Sequence, residues 1–377
     1  MKRFITKTTA FCASLLPVFL IPWLFLYISG ESFRNLDDII NRQNYLIGYA
    51  YSEENYRYLK QKELSSRNTP TVIALGSSRV LQFRDKMFTS SFYNAGFTIS
   101  SISDFIPFIE TNFKSKKPDV LLIGLDQWMF NENWDNLENY DKTERQWRAE
   151  YTKNASMQTL SNVWTDLLKR KYGIETILSN YKSNKSKFGL NAIVKNRGFR
   201  KDGSMFYGDQ ITKLIEKDSL ADDFGYRGTY SRIEDGDRFF EYGKKVNEKS
   251  LKALNDLLLF CKENDIYVVA ILPPFANSVN SRLRQSEKYT YMDSVYHKAN
   301  EVISFYDFEL WDMSDLTKYN SNDDETLDGF HGSEVSHVKM LMHMIKKDSK
   351  LKNYTNLQRL ENDLINKENR YSVYPNP

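Results

Sequence analysis

The chain has 377 residues, with 52 basic against 49 acidic side chains and a net charge of only +3. Lys2, Arg3 and Lys7 account for that excess, since no acid precedes Glu31; the balanced remainder offers no electrostatic footprint for nucleic acid. The length admits one large domain with insertions or two domains. The only cysteines are Cys12 and Cys261, so no disulfide framework is expected.

Residues 8–28, TTAFCASLLPVFLIPWLFLYI, run for 21 residues without a charge. As a helix such a stretch spans a hydrocarbon layer of about 30 Å. Basic residues lie only on its N-terminal side. The positive-inside rule therefore puts the N-terminus in the cytoplasm and the bulk of the chain outside it. Pro17 and Pro22 are tolerated in lipid-embedded helices, and Trp23 and Tyr27 suit the outer interface. A cleaved signal peptide is the alternative, although the stretch is long for one and Ile28-Ser29-Gly30 is a poor cleavage site. Residues 1–30 are thus expected to form a cytoplasmic tip and one transmembrane anchor in the cell membrane. The polar, helix-prone stretch 31–68 is expected to be a helical stalk.

The main domain is expected over 69–350. Thr71–Leu75 is an apolar run that reads as a strand, followed by a helix beginning at Ser77-Ser78. Residues 91–96 read as a strand ending in a turn, and 101–114 as a helix with Ile102, Phe105, Ile106 and Ile109 on one face. Val120–Leu125 is apolar throughout, as a parallel strand buried on both faces would be. From about 131 to 245 the pattern is lost, and this stretch is expected to be a cap insertion, with a hairpin turn at Asp202-Gly203. Trp128 and Phe130 would pack beneath it. A helix over 247–264, a strand over 266–272 stopped by Pro273-Pro274, a helix around 284–303, a short strand 304–308 and a last helix over about 333–347 follow. A C-terminal tail fills 351–377. This alternation predicts βαβ units and a three-layer α/β/α sandwich around a parallel sheet.

Ser78 sits on the turn after the first strand, and Asp328-Gly329-Phe330-His331 precedes the last helix. A serine on a strand-to-helix turn with a late Asp-x-x-His supplies nucleophile, base and base-orienter. The chain has four histidines: His297, His331, His337 and His343. His337 and His343 are six apart on one helix and so do not share a face as a metal pair would. No phosphate loop or dinucleotide fingerprint occurs, and neither metal nor organic cofactor is expected. Arg79 reads either as a contact for an anionic substrate or as a surface residue in an ion pair. Lys195, Arg197, Arg200 and Lys201 read as a solvated loop face, or as a contact for an acidic polymer or lipid head groups.

Four blocks stand in order: Gly76-Ser77-Ser78, Asn94-Ala95-Gly96, Gly124-Leu125-Asp126-Gln127 and Asp328-Gly329-Phe330-His331. Their order resembles the SGNH/GDSL hydrolase superfamily. It is most similar to the membrane-anchored extracytoplasmic branch that holds DltD-like and polysaccharide O-acetylation proteins. The resemblance covers the anchor, 71–130 and 250–345, and not the insertion. It implies Ser78 as nucleophile, His331 as base and Asp328 as its orienter. It implies the Gly96 N–H as an oxyanion donor, with Asn94 shaping that turn.

The third block departs from the family, because Asp126 stands where an oxyanion-binding asparagine should. An ionised carboxylate cannot donate a hydrogen bond. Asp126 either turns away, stays protonated or holds a substrate hydroxyl, and Gln127 or Trp128 is a candidate replacement donor. The implied activity is ester hydrolysis or acyl transfer on a cell-envelope or exported polysaccharide, or on a lipid-linked glycan. The implied partner is a multipass membrane-bound O-acyltransferase. The competing reading is a catalytically impaired protein of the same fold that binds glycan or that partner.

Overall fold

A computed structural model of the chain describes residues 1–32, 36–114, 116–134, 155–183 and 186–375, less the side chains at 10, 12, 14 and 15. Its described strands are β1 Leu46–Ile47, β2 Val72–Leu75, β3 Phe92–Asn94, β4 Val120–Gly124, β5 Lys187–Phe188, β6 Arg197–Arg200, β7 Met205–Tyr207, β8 Tyr267–Leu272 and β9 Glu309–Asp312.

The apolar runs β2, β4 and β8 lie side by side because each is buried on both faces. With β3 and β9 at the edges they form a five-stranded sheet, β3-β2-β4-β8-β9, in which every pair is parallel. Ala74 is opposite Leu122, and Ile123 is opposite Ala270. Side chains alternate between two cores, as the pleat requires. Ile73, Leu75, Leu121, Ile123 and Ala270 meet helices Phe105–Asn112, Glu248–Glu263 and Tyr291–Ser304. Val72, Ala74, Val120, Leu122 and Ile271 meet helix Glu334–Lys346. The fold is therefore α/β, a parallel sheet with helices on both faces. Cys261 lies in the first core, where burial pushes its thiol up to about 12.

Four expectations need correction. The stretch 31–68 is not a stalk. β1 pairs with β5 and β6 in a second sheet, β5-β1-β6-β7, and helix Asn55–Ser65 buries Tyr56, Leu59, Lys60 and Glu63. Residues 351–375 are not a mere tail, since they carry the helix Leu357–Ile365 and pack on the sheet. Leu351, Leu360, Val373 and Tyr374 join the second core, and Glu334 Oε2 accepts from the N–H groups of Val373 and Tyr374 at 2.5 and 3.0 Å. The strand expected over 304–308 falls at β9, because 305–307 is a turn with Phe305 exposed and Asp307 at φ +60°. The helix expected at Ser78 is a single 3₁₀ turn, Ser78–Val80.

The Asp202-Gly203 turn joins β6 to β7 as an antiparallel hairpin. Gly203 has φ +79°, and a Cβ there would lie 2.1 Å from Asn94 O, so only glycine fits. The hairpin thereby ties the insertion to the end of β3, with Asn94 N–H donating to Asp202 O at 2.8 Å.

The N-terminal helix is Lys2–Ser29, ended by Gly30 at φ 70°. Its exit is fixed. Gly189 N–H donates to Ser29 O at 2.8 Å. The buried Glu31 carboxylate accepts from Ala50 and Tyr51 at 2.6 Å each and from Leu190 at 2.9 Å. Burial pushes Glu31 up to about 7 in spite of those donors. Among the described residues no helix is long and apolar enough to cross a membrane.

Candidate functional site

The site forms where the chain leaves β2. Gly76 and Gly124 follow or end neighbouring strands, and a Cβ on Gly76 would sit 3.3 Å from the Gly124 backbone. That close approach lets the chain turn sharply at the carboxyl ends of the sheet. Ser77 caps the turn, its Oγ accepting from Arg79 N–H at 3.2 Å. Ser78 is left half-buried and faces across the sheet end.

Ser78 Oγ lies 2.8 Å from His331 Nε2. His331 Nδ1 lies 2.8 and 3.1 Å from the two oxygens of Asp328. The structure thus brings Ser78, His331 and Asp328 together in one hydrogen-bonded series, with His331 in the middle. Asp328 Oδ1 also accepts from the N–H groups of Phe330 and His331, at 2.7 and 2.6 Å. The three-residue spacing therefore closes its own turn, and Leu327 N–H donating to His331 O at 2.9 Å completes the loop. Burial pushes the Asp328 carboxyl up, but His331 and the two backbone donors outweigh it and hold it below its ordinary value. An ionised Asp328 fixes the proton on Nδ1. Nε2 is then the acceptor for the serine proton, a tautomer assigned from the hydrogen-bond network.

The insertion braces this loop. Gln210 Nε2 donates to Leu327 O at 2.7 Å, and Gly329 N–H donates to Asp223 Oδ2 at 3.1 Å. Tyr207, at the end of β7, places its ring 6.5 Å from that of His331. No sequence pattern marked these contacts, because they come from residues some hundred positions away.

The other candidates are occupied elsewhere. Asp126 has no exposed surface, and its Oδ1 accepts from Arg79 Nη1 at 3.2 Å. It therefore cannot hold a substrate hydroxyl. Gln127 Oε1 accepts from Arg79 Nη1 at 2.7 Å, and its Nε2 donates to Pro273 O at 2.8 Å. Asn94 is fully buried and donates to Val80 O and Phe83 O at 2.8 and 2.9 Å, holding the turn after Ser78. Its Oδ1 accepts from Gly96 N–H at 2.9 Å. That donor, expected for an oxyanion, is already taken.

Sequence reasoning put Arg79 on the surface or on a substrate. It is instead a buried hub. Its guanidinium bonds Asp126, Gln127 and Pro273 O, and it lies 4.0, 5.0 and 5.2 Å from the rings of Phe275, Phe330 and Trp128. Burial lowers Arg79 to about 10 against the pull of Asp126, and raises Asp126 to about 6 against the pull of Arg79. Its position directly after Ser78 was the one signal available. The basic cluster is also neutralised in part. Arg197 pairs with Asp209 and Asp222, and Lys201 pairs with Glu63. Among the described residues no three His, Cys, Asp or Glu side chains converge on a metal position.

His337 ties helix Glu334–Lys346 to the turn after Ser78. Its Nε2 is 3.1 Å from Arg79 O and its Nδ1 is 2.9 Å from Ser333 O. Burial lowers it to about 4 from an ordinary 6.5, against the two carbonyls, which favour the protonated ring. The unfolded chain therefore takes up this proton first as pH falls. His337 is expected to cost the fold up to about 3 kcal/mol between pH 7 and pH 4. Urea unfolding at several pH values should show a flatter slope over that window in His337→Gln than in the parent chain. Equal slopes would remove His337 from the acid response.

A scan against models of known protein families and a search of curated proteins found no match.

Proposed function

We propose that this chain is a serine acyl-esterase or O-acyltransferase of SGNH type. It would be anchored in the membrane by residues 8–28, with its bulk extracytoplasmic, and would act on a cell-envelope or exported polysaccharide or a lipid-linked glycan. The observation that carries the reading is the hydrogen-bonded series from Ser78 through His331 to Asp328. Ser78 O–H gives its proton to His331 Nε2 while its oxygen attacks an ester carbonyl. The tetrahedral intermediate collapses, and His331 returns the proton to the departing alkoxide. A sugar hydroxyl or water then releases the acyl group by the reverse steps, with His331 again as base. A multipass membrane-bound O-acyltransferase is the proposed acyl supplier, on the strength of the family resemblance alone.

A second reading is a protein of this fold that only binds glycan or that partner. What favours it is that Gly96 N–H and the Gln127 amide are already engaged and that Asp126 carries no donor. Losing one oxyanion donor costs about a hundredfold or more in rate. Reaction of the full chain with a fluorophosphonate probe separates the two. Labelling that disappears in both Ser78→Ala and His331→Ala is expected of the enzyme. No labelling of the parent chain supports the binder.

A further inference from the structure

Just past the end of β3 the chain carries a side chain that its backbone does not favour. Phe97 has φ 73°, a left-handed conformation in which a bulky residue is strained. The turn at Ser78 pins it there. Phe97 N–H donates to Ser77 O at 3.1 Å, and Ile99 N–H donates to Gly76 O at 3.3 Å. A glycine would adopt this backbone without strain. Packing returns only part of what the ring costs. Its ring partners Tyr56 and Phe199 lie 6.0 Å away on centroids, and Phe97 remains 41% exposed between the buried Gly96 and Thr98. A strained, open aromatic ring thus stands one hydrogen bond from the residue before Ser78.

The hairpin of the insertion continues this wall. Arg197 is opposite Tyr207 and Phe199 is opposite Met205, so the four side chains share one face of β6 and β7. That face runs past the Ser78 turn. Phe199 meets Phe97, Met205 N–H donates to Leu81 O at 3.1 Å, and the Tyr207 ring lies 6.5 Å from that of His331. The bonded pair of Ser78 and His331 therefore stands between Phe97 and Tyr207. Burial and the Asp328 charge push the Tyr207 phenol up, so it keeps its O–H. Among the described residues that hydroxyl has no hydrogen-bond partner. Arg197 lies 5.8 Å from the Tyr207 ring, but Asp209 and Asp222 already meet its charge. An open aromatic face, an unpaired O–H and a neutralised cation suit an uncharged ligand with one apolar face and a polar edge. A sugar ring has both, whereas an acyl chain has no use for the hydroxyl.

We propose that Phe97 and Tyr207 form a subsite for the uncharged pyranose ring that bears the ester, its C–H face laid on Phe97 and one of its oxygens taken by the Tyr207 O–H. The subsite rests on the ester chemistry proposed for Ser78, and a measurement of binding without turnover keeps the two apart.

Full chains are assayed with mono-acetylated methyl glycosides of glucose, galactose, mannose and N-acetylglucosamine, and with para-nitrophenyl acetate, which has no sugar. Phe97→Gly is expected to raise KM for the glycoside the parent chain uses best by about tenfold, with a smaller shift for the aryl acetate. Tyr207→Phe, which keeps the ring and removes the hydroxyl, should raise it by up to about tenfold. Phe97→Tyr should restore the parent KM, and the exposed control Phe305→Ala should move neither substrate. Thermal melts of Phe97→Gly should match or exceed the parent chain, since glycine suits φ 73°. Equal KM shifts with both substrates, or none with the glycosides, overturn the subsite and leave the chemistry standing. A change in preference between acetyl and butyryl esters of one alcohol would make the wall an acyl slot and also overturn it. Saturation-transfer NMR of the unacylated methyl glycosides with the Ser78→Ala chain needs no turnover. Binding that weakens when Phe97→Gly is added supports the subsite even where the parent chain hydrolyses nothing, and unchanged binding, or none, overturns it.

Discussion

Ser78→Ala is expected to abolish turnover of a simple aryl acetate, and Asp328→Asn to lower it by about ten-thousandfold with the fold intact. The second figure follows from the proton on His331. Asp328 holds Nδ1–H at 2.8 Å and leaves Nε2 to accept from Ser78. An asparagine turns an N–H toward Nδ1, and the ring then places its proton on Nε2, where it faces the serine. The turn itself should survive, since the asparagine oxygen still accepts from the N–H groups of Phe330 and His331, which Asp328 Oδ1 now serves. Single-turnover kinetics with thermal melts on the same samples check both halves. Asp328→Asn within tenfold of the parent chain would mean that the triad does not carry the reaction.

Asp126→Asn is expected to destabilise the chain by about 3 kcal/mol or more and to leave the rate of ester turnover unraised. Two effects of opposite sign compete at this position. Burial alone penalises the carboxylate and holds its titration up at about 6, so a neutral amide would be the better occupant. Arg79 reverses the sign. Without Asp126 its guanidinium stays buried with only the neutral acceptors Gln127 Oε1 and Pro273 O and three aromatic faces. The new amide cannot serve an oxyanion, because residue 126 has no exposed surface and points at Arg79. Adding Arg79→Met should recover much of the lost stability, since it removes the stranded charge. Urea denaturation of the single and double variants measures this. A stable Asp126→Asn with a rate raised about a hundredfold would show that the carboxylate had been blocking an oxyanion site.

How much was legible can be read from particular residues. β2, β4 and β8 were legible as continuous apolar runs, because a strand buried on both faces has no polar side to disguise it. The pairing of Ser78 with His331 was legible because the chemistry needs a scarce residue, and His331 is one of four histidines. The role of Asp126 was not, because a buried ion pair is a fact about its partner. Arg79 looks like any surface arginine until β4 and the Phe275 and Phe330 rings close around it. Gly96 offered a backbone donor on paper, and only the rotamer of Asn94 showed it to be engaged.

The same division holds for the fold. Local order alone determined the α/β alternation and the Asp-x-x-His loop, since each is settled by hydrogen bonds or sterics within a few residues, whereas Gly203 is required also by the approach of Asn94 O. The second sheet, the packing of 31–68 and the burial of the tail were decided only in three dimensions. Leu46–Ile47 pairs with strands about 140 and 150 residues farther on. The second sheet's strands of two to four residues form no continuous apolar run to announce themselves, as Arg197-Gly198-Phe199-Arg200 shows. Their partners, and the charges they bury, come together only when the parallel sheet has set the frame.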